Sequence, residues 1–254
     1  MSSSAAEYLL IFYKDHEGKA RFKTLVISDY SDTPAALESL LAWPEILEHF
    51  VFERIYYTEH HWSFGTFESI LKRHQSTLKT LCIGQLFGRT TCINVTPFSN
   101  LEELNLSRWA LDCTPDIAVS MLLGPKLKTF IWDFGIYDQH SESWSDFSQR
   151  EQEWILEFAR LAAARKSALK KIKIRFEPDE WSTPNTPGSY ESVGFPWDRM
   201  DAVGVLIRPL GMILEYFPPP ALSKFEVEQR IKEQAENAGL IASDGPERGE
   251  VPPI

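Results

Sequence analysis

Apolar residues recur along the chain in one short phrase, at its first, fourth and sixth places. The phrase reads Leu78-Lys79-Thr80-Leu81-Cys82-Ile83-Gly84 and returns as Leu101-Glu102-Glu103-Leu104-Asn105-Leu106-Ser107. Two more copies are Leu127-Lys128-Thr129-Phe130-Ile131-Trp132-Asp133 and Leu169-Lys170-Lys171-Ile172-Lys173-Ile174-Arg175. Looser copies stand earlier, at Phe22-Lys23-Thr24-Leu25-Val26-Ile27-Ser28 and Leu47-Glu48-His49-Phe50-Val51-Phe52-Glu53. Alternation of this kind describes a strand with one buried face. Met212 to Phe217 alternates in the same way and is expected to be a last strand.

Helix signals fill the intervals. Thr33-Pro34 and Thr114-Pro115-Asp116 read as N-caps followed by proline in the first turn, and Ser63 reads as a third cap. Apolar stripes follow at helical spacing: Leu37, Leu40 and Leu41, then Phe67, Ile70 and Leu71. Pro44 and Gly124-Pro125 are stop signals. Ser148 and Glu151 form a capping box ahead of Trp154, Ile155, Phe158, Leu161 and Ala162. The stretch 178–196 reads as a loop, with Asp198 capping the helix after it. Pro218-Pro219-Pro220 is a stiff break, and Ser223 with Glu226 opens a final helix expected to end near Gly239, with Phe225, Ile231 and Ala235 docking. From Ala242 onward the polar composition predicts disorder. The organisation expected is therefore a domain over 1–217, a break and helix over 218–241, and a tail over 242–254.

The phrase begins at residues 22, 47, 78, 101, 127 and 169, which gives steps of 25, 31, 23, 26 and 42 residues. A strand and a helix repeated at such intervals is the leucine-rich-repeat pattern, in which units stack into a curved parallel sheet with helices on its convex side. The fold class expected is α/β, an irregular solenoid of this kind. It is irregular because the asparagine or cysteine usual eight places after the first leucine is replaced by Tyr30, Ile55, Leu86, Trp109, Gly135 and Glu177. Aromatic filling is expected instead of an asparagine ladder. The competing fold is a doubly wound α/β sheet.

Composition narrows the partners. A net charge of −10 disfavours nucleic acid and acidic membrane surfaces. No stretch is long and apolar enough to span a bilayer, and the run Tyr8 to Tyr13 is too short for a signal peptide. Three scattered cysteines (Cys82, Cys92 and Cys113) suit neither a disulfide framework nor a zinc site, so a reducing cytoplasmic or nuclear compartment is expected.

Strand alternation also assigns faces. The first, fourth and sixth residues of each phrase pack on the helices, and the third, fifth and seventh face the other way. The surface expected to bind a partner carries His49, Val51 and Glu53, then Thr80 and Cys82, then Glu103 and Asn105. It continues through Thr129, Ile131 and Asp133 to Lys171, Lys173 and Arg175. Thr24, Val26, Ser28, Gly84 and Ser107 complete the rows. An insertion over 133–147 adds Tyr137, Asp138, His140 and Trp144, residue types that dominate binding hot spots.

Candidate chemical groups cluster in that insertion and in Tyr56-Tyr57-Thr58-Glu59-His60-His61-Trp62. Asp133, Asp138, His140 and Glu142 lack the spacing of a metal-ligand motif, and His60-His61 has no acidic or cysteine partner spaced to complete a site. No phosphate-binding glycine loop or nucleophile elbow is present, so neither catalytic residues nor a cofactor nor a metal is expected. A hydrolase or small-ligand binder using the 133–147 loop stays open as the alternative.

The run Leu101 to Trp109 resembles the repeats of fungal F-box/leucine-rich-repeat proteins. So do Thr129-Phe130-Ile131-Trp132-Asp133-Phe134 leading into Asp138-Gln139-His140-Ser141-Glu142-Ser143-Trp144, Phe176-Glu177-Pro178-Asp179-Glu180-Trp181, and Pro196-Trp197-Asp198-Arg199-Met200-Asp201. The resemblance covers roughly residues 20–217. It implies a repeat domain that recruits a protein partner, namely the substrate of a ubiquitin ligase. An F-box is a helical segment longer than the roughly twenty residues before the first strand, so the likeness is to the receptor part alone.

Overall fold

The computed structural model describes residues 17–54, 62–86, 92–136, 142–179, 184 and 187–243. Seven strands form one parallel sheet: β1 Thr24–Ile27, β2 His49–Arg54, β3 Thr80–Gln85, β4 Glu103–Ser107, β5 Thr129–Asp133, β6 Lys171–Arg175 and β7 Ile213–Phe217. Their order in the sheet is their order in the chain. A doubly wound sheet reverses its strand order at a switch point. This one never does, and that excludes the competing topology.

Every recurring phrase becomes a strand, and the strands pair with equivalent places opposite one another. Thr24, His49, Thr80, Glu103, Thr129, Lys171 and Ile213 form one row across all seven strands. Val26, Val51, Cys82, Asn105, Ile131, Lys173 and Glu215 form the next. The five junctions from β1 to β6 are built alike. The carbonyl of Lys23 accepts from the Glu48 and His49 N–H groups, that of Glu48 from Lys79 and Thr80, and that of Lys79 from Glu102 and Glu103. The Glu102 and Lys128 carbonyls repeat the arrangement. The second place of the phrase therefore sets the register of the next strand.

Helices lie against the face of the fourth and sixth places. The α-helices among the described residues are α1 Pro34–Leu41, α2 Phe64–Ile70, α3 Pro115–Leu122, α4 Gln149–Ala164, α5 Pro187–Val193, α6 Pro196–Ile207 and α7 Lys224–Ser243, the last of which contacts α5. Phe67 of α2 packs on Phe50 and Phe52, while Trp154 and Phe158 of α4 pack on Phe130. The inner leucines, isoleucines and aromatics of β2 to β6 are completely or almost completely buried. Burial of this kind contributes about 1.5–3 kcal/mol for each large side chain. Aromatic filling is real: Tyr30, in place of an asparagine, packs on Phe52 and Trp62.

Thr33, Ser63 and Ser148 cap their helices as expected, and the Ser148–Glu151 and Ser223–Glu226 boxes both form. Several expectations need correction. The Thr114 side chain makes no capping bond. Phe195, not Asp198, occupies the N-cap of α6, because Pro196 with its fixed φ already starts the helix. Helix α5 lies within the stretch read as loop, and Gly194, at a φ of 68°, ends it. Helix α7 continues past Gly239 to Ser243, since one glycine costs a helix only about 1 kcal/mol. Residues Val227 and Ile231 dock α7, whereas Phe225 and Ala235 are exposed. Ala242 and Ser243, expected in a tail, belong to α7, and 244–254 lie outside the described residues.

Candidate functional site

Because the helices occupy one face, the third, fifth and seventh places are left on the opposite, open face. A concavity of about 300 Å³ lies there, lined by Val51, Glu53, Thr80, Cys82, Gly84, Glu103, Asn105, Asp133 and Arg175. The sheet thus gathers onto one surface residues up to 124 positions apart in sequence, from Val51 to Arg175.

Polar bonds tie neighbouring strands across this face. His49 Nδ1 lies 3.1 Å from the Thr80 hydroxyl, and Ser28 Oγ donates to Glu53 at 2.5 Å. Arg175 donates to Asp133 Oδ1 at 3.0 Å, and the same oxygen accepts from the Gly135 N–H at 2.8 Å. On β6 and β7, Lys171 pairs with Glu215 at 2.7 Å. Charge is divided along the rows, with Glu53 and Glu103 towards β2 and β4 and Lys171, Lys173 and Arg175 on β6. Burial, reinforced by Asp133, Glu53 and Glu103, pushes the Cys82 thiol up to about 12. It is a neutral part of the floor. The Asn105 Oδ1 beside it is shielded from solvent yet accepts no hydrogen bond within the protein. An unpaired buried carbonyl costs about 1–3 kcal/mol, so the site favours an incoming donor.

Some predicted site residues are placed differently. Ile131 is in the open-face row but only 7% exposed, and Asp133 is 6% exposed and occupied by Arg175 and the Gly135 N–H. Trp144, expected as an exposed anchor, is buried against Phe195 and Trp197 because a short 3₁₀ turn, Trp144–Asp146, directs it inward. Trp62 is likewise a core residue, packed edge-on or tilted among Tyr30, Phe52 and Phe67. Tyr137, Asp138 and His140 lie outside the described residues, as do 56–61.

Three features escaped the sequence reading. The second places of the phrase carry Lys23, Glu48, Lys79, Glu102 and Lys128, which pair across strand ends: Lys23–Glu48 at 2.9 Å, Lys79–Glu48 at 2.8 Å and Lys128–Glu102 at 2.9 Å. Hydrogen bonds from Lys79 and Lys23 hold the Glu48 carboxyl down at about 2. This alternation was legible once the copies were aligned. Second, β7 extends the open face with Ile213 and Phe217, 46% and 38% exposed; its phrase is hidden because Gly211 stands where the leading leucine would be. Third, Arg108 bonds Glu151 of α4 at 2.8 Å while lying over the rings of Trp109 and Trp132.

A second concavity, about 250 Å³, opens at the carboxyl end of β6 and β7 among Trp144, Phe176, Glu177, Pro178, Trp197, Pro218, Pro219, Ala221 and Leu222. Nearby, Glu142 accepts the Glu177 N–H at 2.6 Å, and burial raises its carboxyl to about 7. Among the described residues, no three His, Cys, Asp or Glu side chains converge to hold a metal ion, and no helix is long and apolar enough to cross a membrane. Comparison of the chain with protein-family models, with curated proteins and with solved structures finds no match.

Proposed function

We propose that this chain is a protein-interaction module of the leucine-rich-repeat kind, which grips a partner protein on its open sheet face. Its role is that of a substrate receptor like those of F-box proteins, and its work is binding rather than catalysis. The observation that carries this reading is the concavity over β2 to β6, with the shielded and unpaired Asn105 Oδ1 in its wall. An apolar floor of Val51 and Cys82, flanked by Glu53 and Glu103, suits a segment presenting a cationic or amide donor between apolar groups. The opposed basic row on β6 orients that segment by charge complementarity. The sequential parallel sheet, the in-register phrase and the helices on one face support the repeat reading. A cytoplasmic or nuclear setting, with a ubiquitin-ligase substrate as the partner, belongs to the same proposal and rests on the resemblance in phrasing.

Affinity purification from the native cell tests it. The wild-type chain is compared with a Glu53→Lys, Glu103→Lys double variant, both checked for intact fold by circular dichroism. A dominant protein partner lost from the variant is the expected result. Equal recovery by both chains refutes the open face as the binding surface. Co-purifying ligase adaptor subunits identify the F-box-type role.

One observation favours a second reading, a small-ligand binder. The Trp197 Nε1 is buried without a partner in the wall of the 250 Å³ concavity. A compact apolar molecule with one hydrogen-bond acceptor would fit there, and quenching of tryptophan fluorescence by such a compound distinguishes this reading.

A further inference from the structure

The sheet ends at β7, and the outer edge of that strand is bare. Parallel strands spend alternate residues on alternate neighbours. Ile213 donates its N–H to the Lys170 carbonyl, and the Phe217 carbonyl accepts the Phe176 N–H, so Ile213, Glu215 and Phe217 serve β6. The Met212 carbonyl, with the N–H and carbonyl groups of Leu214 and Tyr216, therefore points the other way. Among the described residues no group pairs with these five, and β7 is the last strand of the sheet. Met212 holds the second place of its phrase, the place whose carbonyl receives the following strand at every junction from β1 to β6. Side chains mark the same edge. The fourth and sixth places of β2 to β6 are at most 3% exposed, whereas Leu214 and Tyr216 are only partly buried. On the open face Ile213 and Phe217 flank Glu215, and all three are exposed.

We propose that the β7 edge is a second docking site, which takes an extended segment of a partner protein as an eighth, parallel strand carrying a basic residue between two apolar ones. Backbone groups supply the affinity. The Met212, Leu214 and Tyr216 carbonyls accept from alternate residues of the segment, and the Leu214 and Tyr216 N–H groups donate to it. Pro218 has no N–H, so the ladder closes beside Phe217. Glu215 supplies the selectivity. Elsewhere in this sheet a carboxylate sits between cations from both neighbours, since Glu48 is held by Lys23 at 2.9 Å and by Lys79 at 2.8 Å. Glu215 receives Lys171 from β6 at 2.7 Å, and its other flank is the edge. A lysine or arginine at the facing place of the segment completes the same arrangement. Apolar residues two places to either side cover Ile213 and Phe217. A second copy of the chain suits the edge less well. Antiparallel pairing of β7 with itself, in the register that joins Leu214 to Tyr216, sets Glu215 against Glu215, and like charges so opposed repel. In the common register, β1 of a second copy sets Val26 there instead of a cation. The edge is separate from the concavity over β2 to β6 and does not rest on it.

The probe is a fluorescein-labelled peptide with valine, arginine and phenylalanine at alternate places and threonine between them. It is titrated with the folded full chain and followed by fluorescence anisotropy. Saturable binding is the expected result, and none up to about 1 mM overturns the proposal. Glutamate in place of the arginine should weaken binding about fivefold or more. Glu215→Lys, checked for intact fold by circular dichroism, should weaken the arginine peptide and favour the glutamate one; indifference to both exchanges overturns the role of Glu215. N-methylation tests the strand itself. In a parallel strand the valine, arginine and phenylalanine bond to β7, so methylating the arginine nitrogen should abolish binding while methylating a threonine nitrogen is tolerated. The reverse pattern shows an antiparallel strand and overturns the proposal. So does a dimer of the free chain that the peptide cannot displace, because a second copy then fills the edge. Glu215 does not line the 300 Å³ concavity, so failure here leaves the open-face reading standing.

Discussion

Changing Gly84 to alanine puts the architecture to a severe test. A Cβ built on Gly84 lies 1.7 Å from the Glu53 carbonyl oxygen and 2.6 Å from its carbon. Both atoms are backbone, so no rotamer relieves the clash. Gly84 is not among the glycines with positive φ, so space and not conformation demands it. To reach even a tight contact, β2 and β3 must separate by more than about 1 Å, against a normal spacing of about 4.8 Å. That strains or breaks the pairing of Phe52 with Ile83 and of Arg54 with Gln85. Overpacking costs about 1–3 kcal/mol and each lost hydrogen bond about 1 kcal/mol, so a loss of about 3–5 kcal/mol follows. Gly204, in the middle of α6, undergoes the same chemical change with the opposite result. There the new methyl meets Leu214 Cβ at 3.8 Å, an ordinary contact, and alanine stabilises a helix interior by about 0.5–1 kcal/mol. Urea denaturation followed by the fluorescence of the eight tryptophans measures both variants. With a slope of about 2–3 kcal/mol per molar, Gly84→Ala should lower the midpoint by about 1–2 M, while Gly204→Ala raises it slightly. An unchanged midpoint for Gly84→Ala, or equal shifts for the two, would refute the proximity of the strands at that point.

Two buried carboxylates should respond to pH with opposite signs. Burial raises Glu142 from 4.5 to about 7, so the folded chain holds an extra proton between those values and loses stability as pH rises, by about 3 kcal/mol in all. Glu142→Gln, which keeps an acceptor for the Glu177 N–H, should flatten that slope in urea titrations from pH 4 to 8; an unaltered slope excludes Glu142 as its source. Burial acts to raise Glu151 too, but the Ser148 hydroxyl and Arg108 outweigh it and hold the carboxyl below its ordinary value. Its contribution is present above 4.5 and fades as pH falls through the folded value, so Glu151→Gln should cost about 2–4 kcal/mol at pH 7 and much less at pH 3. A cost independent of pH would show that the charge is irrelevant. Phe158→Ala, at the contact of α4 with Phe130 of β5, should lose about 3–5 kcal/mol by thermal denaturation, and a loss below 1 kcal/mol would mean that α4 is not seated on the sheet.

The strands were readable because the sheet's period of two is short and each phrase carries its own apolar places. Leu78, Leu81 and Ile83 declare the buried face without reference to anything distant, and aligning the copies places Thr80 beside His49 and Glu103. Capping boxes at Ser148 and Ser223 were equally local. Other features depended on partners far along the chain. Trp144 has the composition of a surface anchor, yet its place in the core depends on Phe195 and Trp197, which α6 supplies. The β7 copy was obscured by Gly211 and becomes visible only when Ile213 lies against Lys171. The same division runs through the chemistry. Sequence by itself determined which side chains each strand offers to its open face. Only the tertiary structure decided that Asn105 keeps an unpaired oxygen and that Arg175 occupies Asp133. Periodicity is a property of neighbours along the chain, whereas pairing and desolvation belong to atoms that folding alone brings together.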